Sequence, residues 1–89
     1  MNDLIALRNG IDQVDAQIIR LFAQRMELAR RVGEYKRARN LPVFDPERER
    51  TLIASRVEQI NDPALSGPVA ELFETLMRLS KEAQFGAQQ

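Results

Sequence analysis

Apolar side chains recur at Leu4, Leu7, Ile11, Val14, Ile18, Leu21, Leu28, Val32 and Tyr35, a three-four spacing that keeps step for about five heptads. The pattern predicts one helix from about residue 3 to about residue 39. Asp3 would cap its start, and Asn40 with Pro42, which holds Leu41 extended, would close it. At about 1.5 Å per residue this helix spans about 55 Å. A compact chain of 89 residues is only about 30 Å across. The helix therefore outruns its own protein, and the rest of the chain cannot cover its whole apolar seam. A second copy is the simplest cover, and antiparallel two-fold pairing would make a six-helix homodimer.

The remainder also reads as helix. After the loop LPVF, Asp45-Pro46 is an N-cap followed by proline at the first helical position, which opens a helix from about 46 to 60 with Leu52, Ile53, Val57 and Ile60 as its stripe. NDPALSGP is the next break, and a third helix is expected over about 68 to 85 with Val69, Leu72, Phe73, Leu76 and Leu79 inward. The tail FGAQQ is expected to fray. With no strand pattern and no repeat, the expectation is all-α: three helices per chain, one very long, and six in the dimer. The length predicts one domain, residues 1–89. A monomer of this size would hide only about 64% of its unfolded surface, a second reason to expect extra burial between copies.

Composition narrows the chemistry. The chain has no cysteine and no histidine, which removes disulfides, a thiol nucleophile, the usual zinc ligands and the commonest general base. No metal or other cofactor is expected. No apolar run approaches the roughly 18 residues of a membrane span, and MNDLIALRNG lacks the cationic lead and apolar stretch of a signal peptide, so the expected location is the cytoplasm, away from membranes. Charges balance at 13 against 13, yet only Lys36 and Lys81 among the cations are lysine. Arginine forks suit carboxylates bidentately, where lysine acts as a point charge.

Several of these polar residues fall in apolar phase. The heptad calls for an apolar residue at position 25 and finds Arg25. A polar seam residue can simply fix register. Lys36, however, lies about 20° from the same azimuth and about 16 Å along the axis, so the two long side chains can converge on one small anion. Arg8 lies about 25 Å before Arg25 and about 100° round the helix, too far to share that ligand within one chain but not across an antiparallel dimer. In the third helix the inward stripe runs on into Ser80 and Gln84, although serine often bonds its own backbone and glutamine is often merely exposed. Arg48 and Glu49 follow the Asp45 cap within one turn, where an acid also suits the helix dipole. A cavity built from these groups could bind a small dianion, hold its shape and stabilise charge developing on an oxygen. Unimolecular rearrangement of a dicarboxylate fits such a site; hydrolysis and redox chemistry do not.

At these residues the sequence resembles the all-helical chorismate mutase family of the small intertwined-dimer type. The strongest stretches are LIALRNGIDQVDAQIIRLFAQRMELARRVGEYK and NLPVFDPERER, and ELFETLMRLSKEAQ matches more weakly in the right phase. The resemblance implies a mutase that turns chorismate into prephenate without a cofactor. It implies that Arg25 and Lys36 bind the substrate carboxylates and that Arg8 reaches the second copy's site. Lys36 and Gln84 would approach the ether oxygen. Asp45, Arg48 and Glu49 would line the ring side, with Glu49 accepting the ring hydroxyl, and Ser80 would assist a carboxylate. Three alternatives stay open: an isochorismate pyruvate lyase of the same fold, an RNA-binding helical dimer, and a non-catalytic dimerisation module. The zero net charge and the seam position of Arg25 weigh against nucleic acid as a partner.

Overall fold

A computed structural model describes residues 2–87, and every regular element among them is helical. Helix α1 runs Asp3–Ala38, α2 Pro46–Ile60 and α3 Pro63–Ala87. The cap of α1 is Asn2 rather than Asp3: its side-chain Oδ1 accepts from the Ile5 N–H at 3.2 Å, and Asp3 sits in the first turn, where its charge suits the helix dipole. At the other end Asn40 takes a left-handed φ of 56° beyond the Arg39 cap, so the chain turns where the Asn40 and Pro42 signals place the turn. On the outer face of α1, Arg30 bridges Glu27 and Glu34 at helical spacing, and its hydrogen bond holds the Glu27 carboxyl below the ordinary range.

The third helix begins a turn and a half earlier than the sequence suggests. Asp62-Pro63 repeats the Asp45-Pro46 device: Asp62 Oδ1 accepts from the Ala64 N–H at 3.0 Å and Asp62 O from the Leu65 N–H at 2.9 Å. Pro68 then lies inside the helix, where its absent N–H forfeits only the bond to the Ala64 carbonyl. The buried face of α3 is also turned from the expected one. Met77 and Ser80 are buried, Val69, Phe73, Leu76 and Leu79 are half-buried, and Leu72 is 53% exposed. The reason is that α3 packs against both α1 and α2, whose Cα atoms nowhere come within 8 Å of each other. The buried arc must serve both neighbours. In the tail, Phe85 to Ala87 continue the helix instead of fraying, and Gln88 and Gln89 lie outside the described residues.

Side-chain pairings give the directions. Arg25 meets Leu76 and Ser80 while Lys36 meets Gln84, so α1 and α3 run the same way; Glu49 meets Lys81 and Arg56 stacks near Phe73, so α2 runs opposite. Where α1 crosses α3, Gly33 is buried, and a Cβ there would lie 2.6 Å from the Gln84 carbonyl oxygen. Only glycine permits that approach.

Packing of α1 is confined to its second half. Ala29 and Gly33 are its buried residues, and residues 2–24 are all exposed. The nine apolar residues of the heptad seam remain 43–67% exposed. The molecule measures 59 × 27 × 14 Å with a radius of gyration of 16.5 Å, against about 12 Å for a compact chain of this length.

Candidate active site

Because α1 and α2 both pack on α3 without packing on each other, a cleft opens between them with α3 as its floor. Its volume is about 510 Å³, well inside the range of small-molecule sites. Arg25 and Lys36 reach it from α1, Asp45 from the loop, Arg48 and Glu49 from the first turn of α2, and Ser80 and Gln84 from α3. Of the eight residues singled out in the sequence, these seven line one cavity. Arg8 does not; it sits on the exposed half of α1.

Each side chain is held locally. Asp45 caps α2 by accepting from the Arg48 N–H at 3.0 Å, which anchors the start of the helix carrying Arg48 and Glu49. Lys36 Nζ donates to the Val43 carbonyl at 3.0 Å and to Gln84 Oε1 at 3.0 Å, leaving its third proton for a ligand. With Oε1 engaged, the free end of Gln84 is its amide nitrogen, a donor at any pH. Ser80 Oγ donates to Leu76 O at 2.7 Å, the self-bonding expected of a helical serine, and also accepts from Arg25 Nη1. Arg25 Nη1 further approaches Leu76 O at 3.4 Å. Its guanidinium has its pKa pushed down, first by burial and then by the charges of Arg56 and Arg48. It still carries its proton at neutral pH, and its discomfort marks a place where an anion is welcome.

Two charged residues of the cleft escaped the sequence reading. Arg56 follows Glu49 and Leu52 at i+7 and i+4, so helical phase alone places it on their face. Lys81 follows Met77 by four and precedes Gln84 by three, and its ammonium pairs with Glu49 Oε1 at 3.0 Å. Apolar walls come from Leu28, Val32, Val43, Leu52 and Met77. No group of three or more His, Cys, Asp or Glu among the described residues could hold a metal ion, and no helix among them is long and apolar enough to cross a membrane.

The arrangement is a cation-rich, part-apolar cleft with hydrogen-bond donors from both α1 and α3. It can clamp two carboxylates and present N–H donors to an oxygen between them. Comparison with known proteins supplies the family. The chorismate mutase type II family profile matches residues 7–85. The chain is 38% identical over 86 residues to the bifunctional chorismate mutase/prephenate dehydratase of Aquifex aeolicus, covering 97% of this chain and 18% of that protein. It is 40% identical over 81 residues to the T-protein of Enterobacter agglomerans, covering 91% and 21%. A chorismate mutase of Methanocaldococcus jannaschii is 43% identical over 47 residues, covering 53% of this chain and 48% of that one. The chain thus spans about a fifth of the two longer relatives and about half of the third. No solved structure matched at a comparable level. With the profile covering most of the chain and its matched residues enclosing the cleft, the chain belongs to the type II chorismate mutase family.

Proposed function

We propose that the cleft rearranges chorismate to prephenate. The observation that carries this reading is the convergence of Arg25 and Lys36 with Gln84 and Glu49 in one cavity, across 60 residues of sequence. Arg25 through its fork and Lys36 through its charge hold the two carboxylates and fold the enolpyruvyl group over the ring in the chair-like form that the rearrangement needs. The ether C–O bond breaks ahead of C–C bond formation, so negative charge grows on the ether oxygen. The remaining Lys36 proton and the Gln84 amide meet that charge in place, where one such donor is worth about 3–4 kcal/mol of barrier. Glu49 accepts the ring hydroxyl and fixes which face of the ring is presented. The step is intramolecular and requires no cofactor.

The complete site needs a second copy. The exposed seam of α1 supports antiparallel pairing, and the cleft as one chain forms it holds no group from the first half of that helix. In the pairing, Arg8 of the second copy closes the cleft over a substrate carboxylate. The test of the activity is the loss of chorismate's ultraviolet absorbance with purified protein, with the product converted by acid to phenylpyruvate. Isochorismate is offered in parallel. Pyruvate release from isochorismate with no loss of chorismate would replace the mutase reading with the lyase one.

A further inference from the structure

The cleft holds five cations, Arg25, Lys36, Arg48, Arg56 and Lys81, and two acids, Asp45 and Glu49. Among the described residues none of Arg25, Lys36, Arg48 and Arg56 forms a salt bridge. Both acids are committed elsewhere. Asp45 is spent on the α2 cap, and Glu49 Oε1 is paired with Lys81 at 3.0 Å. Lys81 is itself gripped from the loop side, with its ammonium 4.8 Å from the centre of the Phe44 ring. The pair is only partly screened, with side-chain exposures of 32% for Lys81 and 23% for Glu49.

This matters because Glu49 is the one acid in the cleft not used in capping a helix. A long carboxylate side chain among several unpaired cations folds onto them unless something holds it back, and it then competes with any anionic ligand. We infer that Lys81 is a positioning residue that sequesters the Glu49 carboxylate, keeping it off the anion-binding cations and leaving its second oxygen, Oε2, to accept the substrate hydroxyl. The inference deepens the mutase reading and rests on it. It assigns to Lys81 the task of preserving the positive charge of the cleft for a dianion without touching that dianion.

The test measures prephenate binding by calorimetry at neutral pH, together with steady-state kinetics on chorismate, for variants whose circular dichroism matches the parent. Lys81→Met keeps the length of the side chain and removes its charge. It is expected to weaken prephenate binding and raise KM about five- to tenfold, the scale of a part-buried charge pair, with kcat within threefold of the parent. Lys81→Arg is expected to restore binding to within threefold, since an arginine can hold the same carboxylate. In a Glu49→Gln background, where no carboxylate remains to compete, Lys81→Met is expected to change prephenate binding by less than twofold. An equal loss in both backgrounds would overturn the inference, because Lys81 would then be acting on the ligand directly. A parent that converts chorismate while Lys81→Met binds prephenate within twofold of it would overturn this inference alone. A parent that neither converts chorismate nor binds prephenate would overturn it together with the mutase reading.

Discussion

Gln84 and Lys36 form the smallest unit of the proposed site, because the lysine that lines the cleft also fixes the amide beside it. Gln84→Glu should therefore make activity acid-dependent. A glutamate side chain donates a hydrogen bond only when protonated, and ionised it would both pair with Lys36 and repel the dianion. Lys36 lowers its pKa, and the bound dianion and desolvation are expected to outweigh that and raise it in the complex, so kcat/KM near pH 8 should fall by about two to three orders of magnitude and recover as pH drops towards 5. A pH profile parallel to the parent's, over the range where both proteins stay folded, would remove Gln84 from the reacting oxygen. At this scale helical phase made Arg25, Ser80 and Gln84 stand out, since each is a polar residue where the stripe asks for an apolar one, and Lys36 stood out because its azimuth is close to that of Arg25. Lys81 and Arg56 were hidden because a charge beside a stripe looks like solvated surface until a neighbouring helix closes over it.

The elements are set by local signals, and the spacing of α1 against α3 by one close approach. Gly33 lets α1 lie against the backbone of Gln84, and a Cβ at 2.6 Å from a main-chain oxygen cannot be relieved by turning a side chain. An alanine in a helix gains about 1 kcal/mol over glycine from propensity, whereas forced overpacking costs about 1–3 kcal/mol. Because the obstacle is backbone, the upper end of that cost applies, and Gly33→Ala should lower the melting temperature and reduce kcat by drawing Gln84 away from Lys36. An alanine variant more stable than the parent, by thermal melt, would show that α1 and α3 tolerate a wider spacing. Helix boundaries followed capping chemistry in all three elements. The start of α3 was the one misplaced by more than a residue or two, because two prolines compete there and only the first has an aspartate before it as a cap.

For the whole molecule, the first half of α1 projects without any tertiary cover. Most helical stability in proteins comes from burial of the apolar face, and here that face is left uncovered within one chain. Pairing of two copies through this seam should make the melting temperature rise with protein concentration, and the species in solution should have twice the 10.2 kDa of one chain. A concentration-independent melt with a monomer on analytical ultracentrifugation would reject the pairing. The same geometry predicts complementation: Arg8→Ala and Arg25→Ala should each be nearly inactive alone, and mixing them should restore activity. A mixed dimer carries one site with both defects and one with neither. If mass spectrometry shows exchanged subunits and no activity returns, Arg8 does not serve the second copy's site.

The amino-acid sequence by itself determined the three helices, the all-α class and the unusual length of the first, because caps, prolines and apolar periodicity act within a few residues of chain. It also determined which residues are chemically out of place, since phase is a local property of a helix. Only the tertiary structure decided which arc of α3 is buried, that α1 and α2 stand apart, and that Lys81 rather than a binding arginine takes the Glu49 carboxylate. Those outcomes depend on contacts between residues far apart in sequence, up to the 55 positions between Arg25 and Ser80, which are governed by how close two backbones can come, and at Gly33 that distance is set by one missing methyl group.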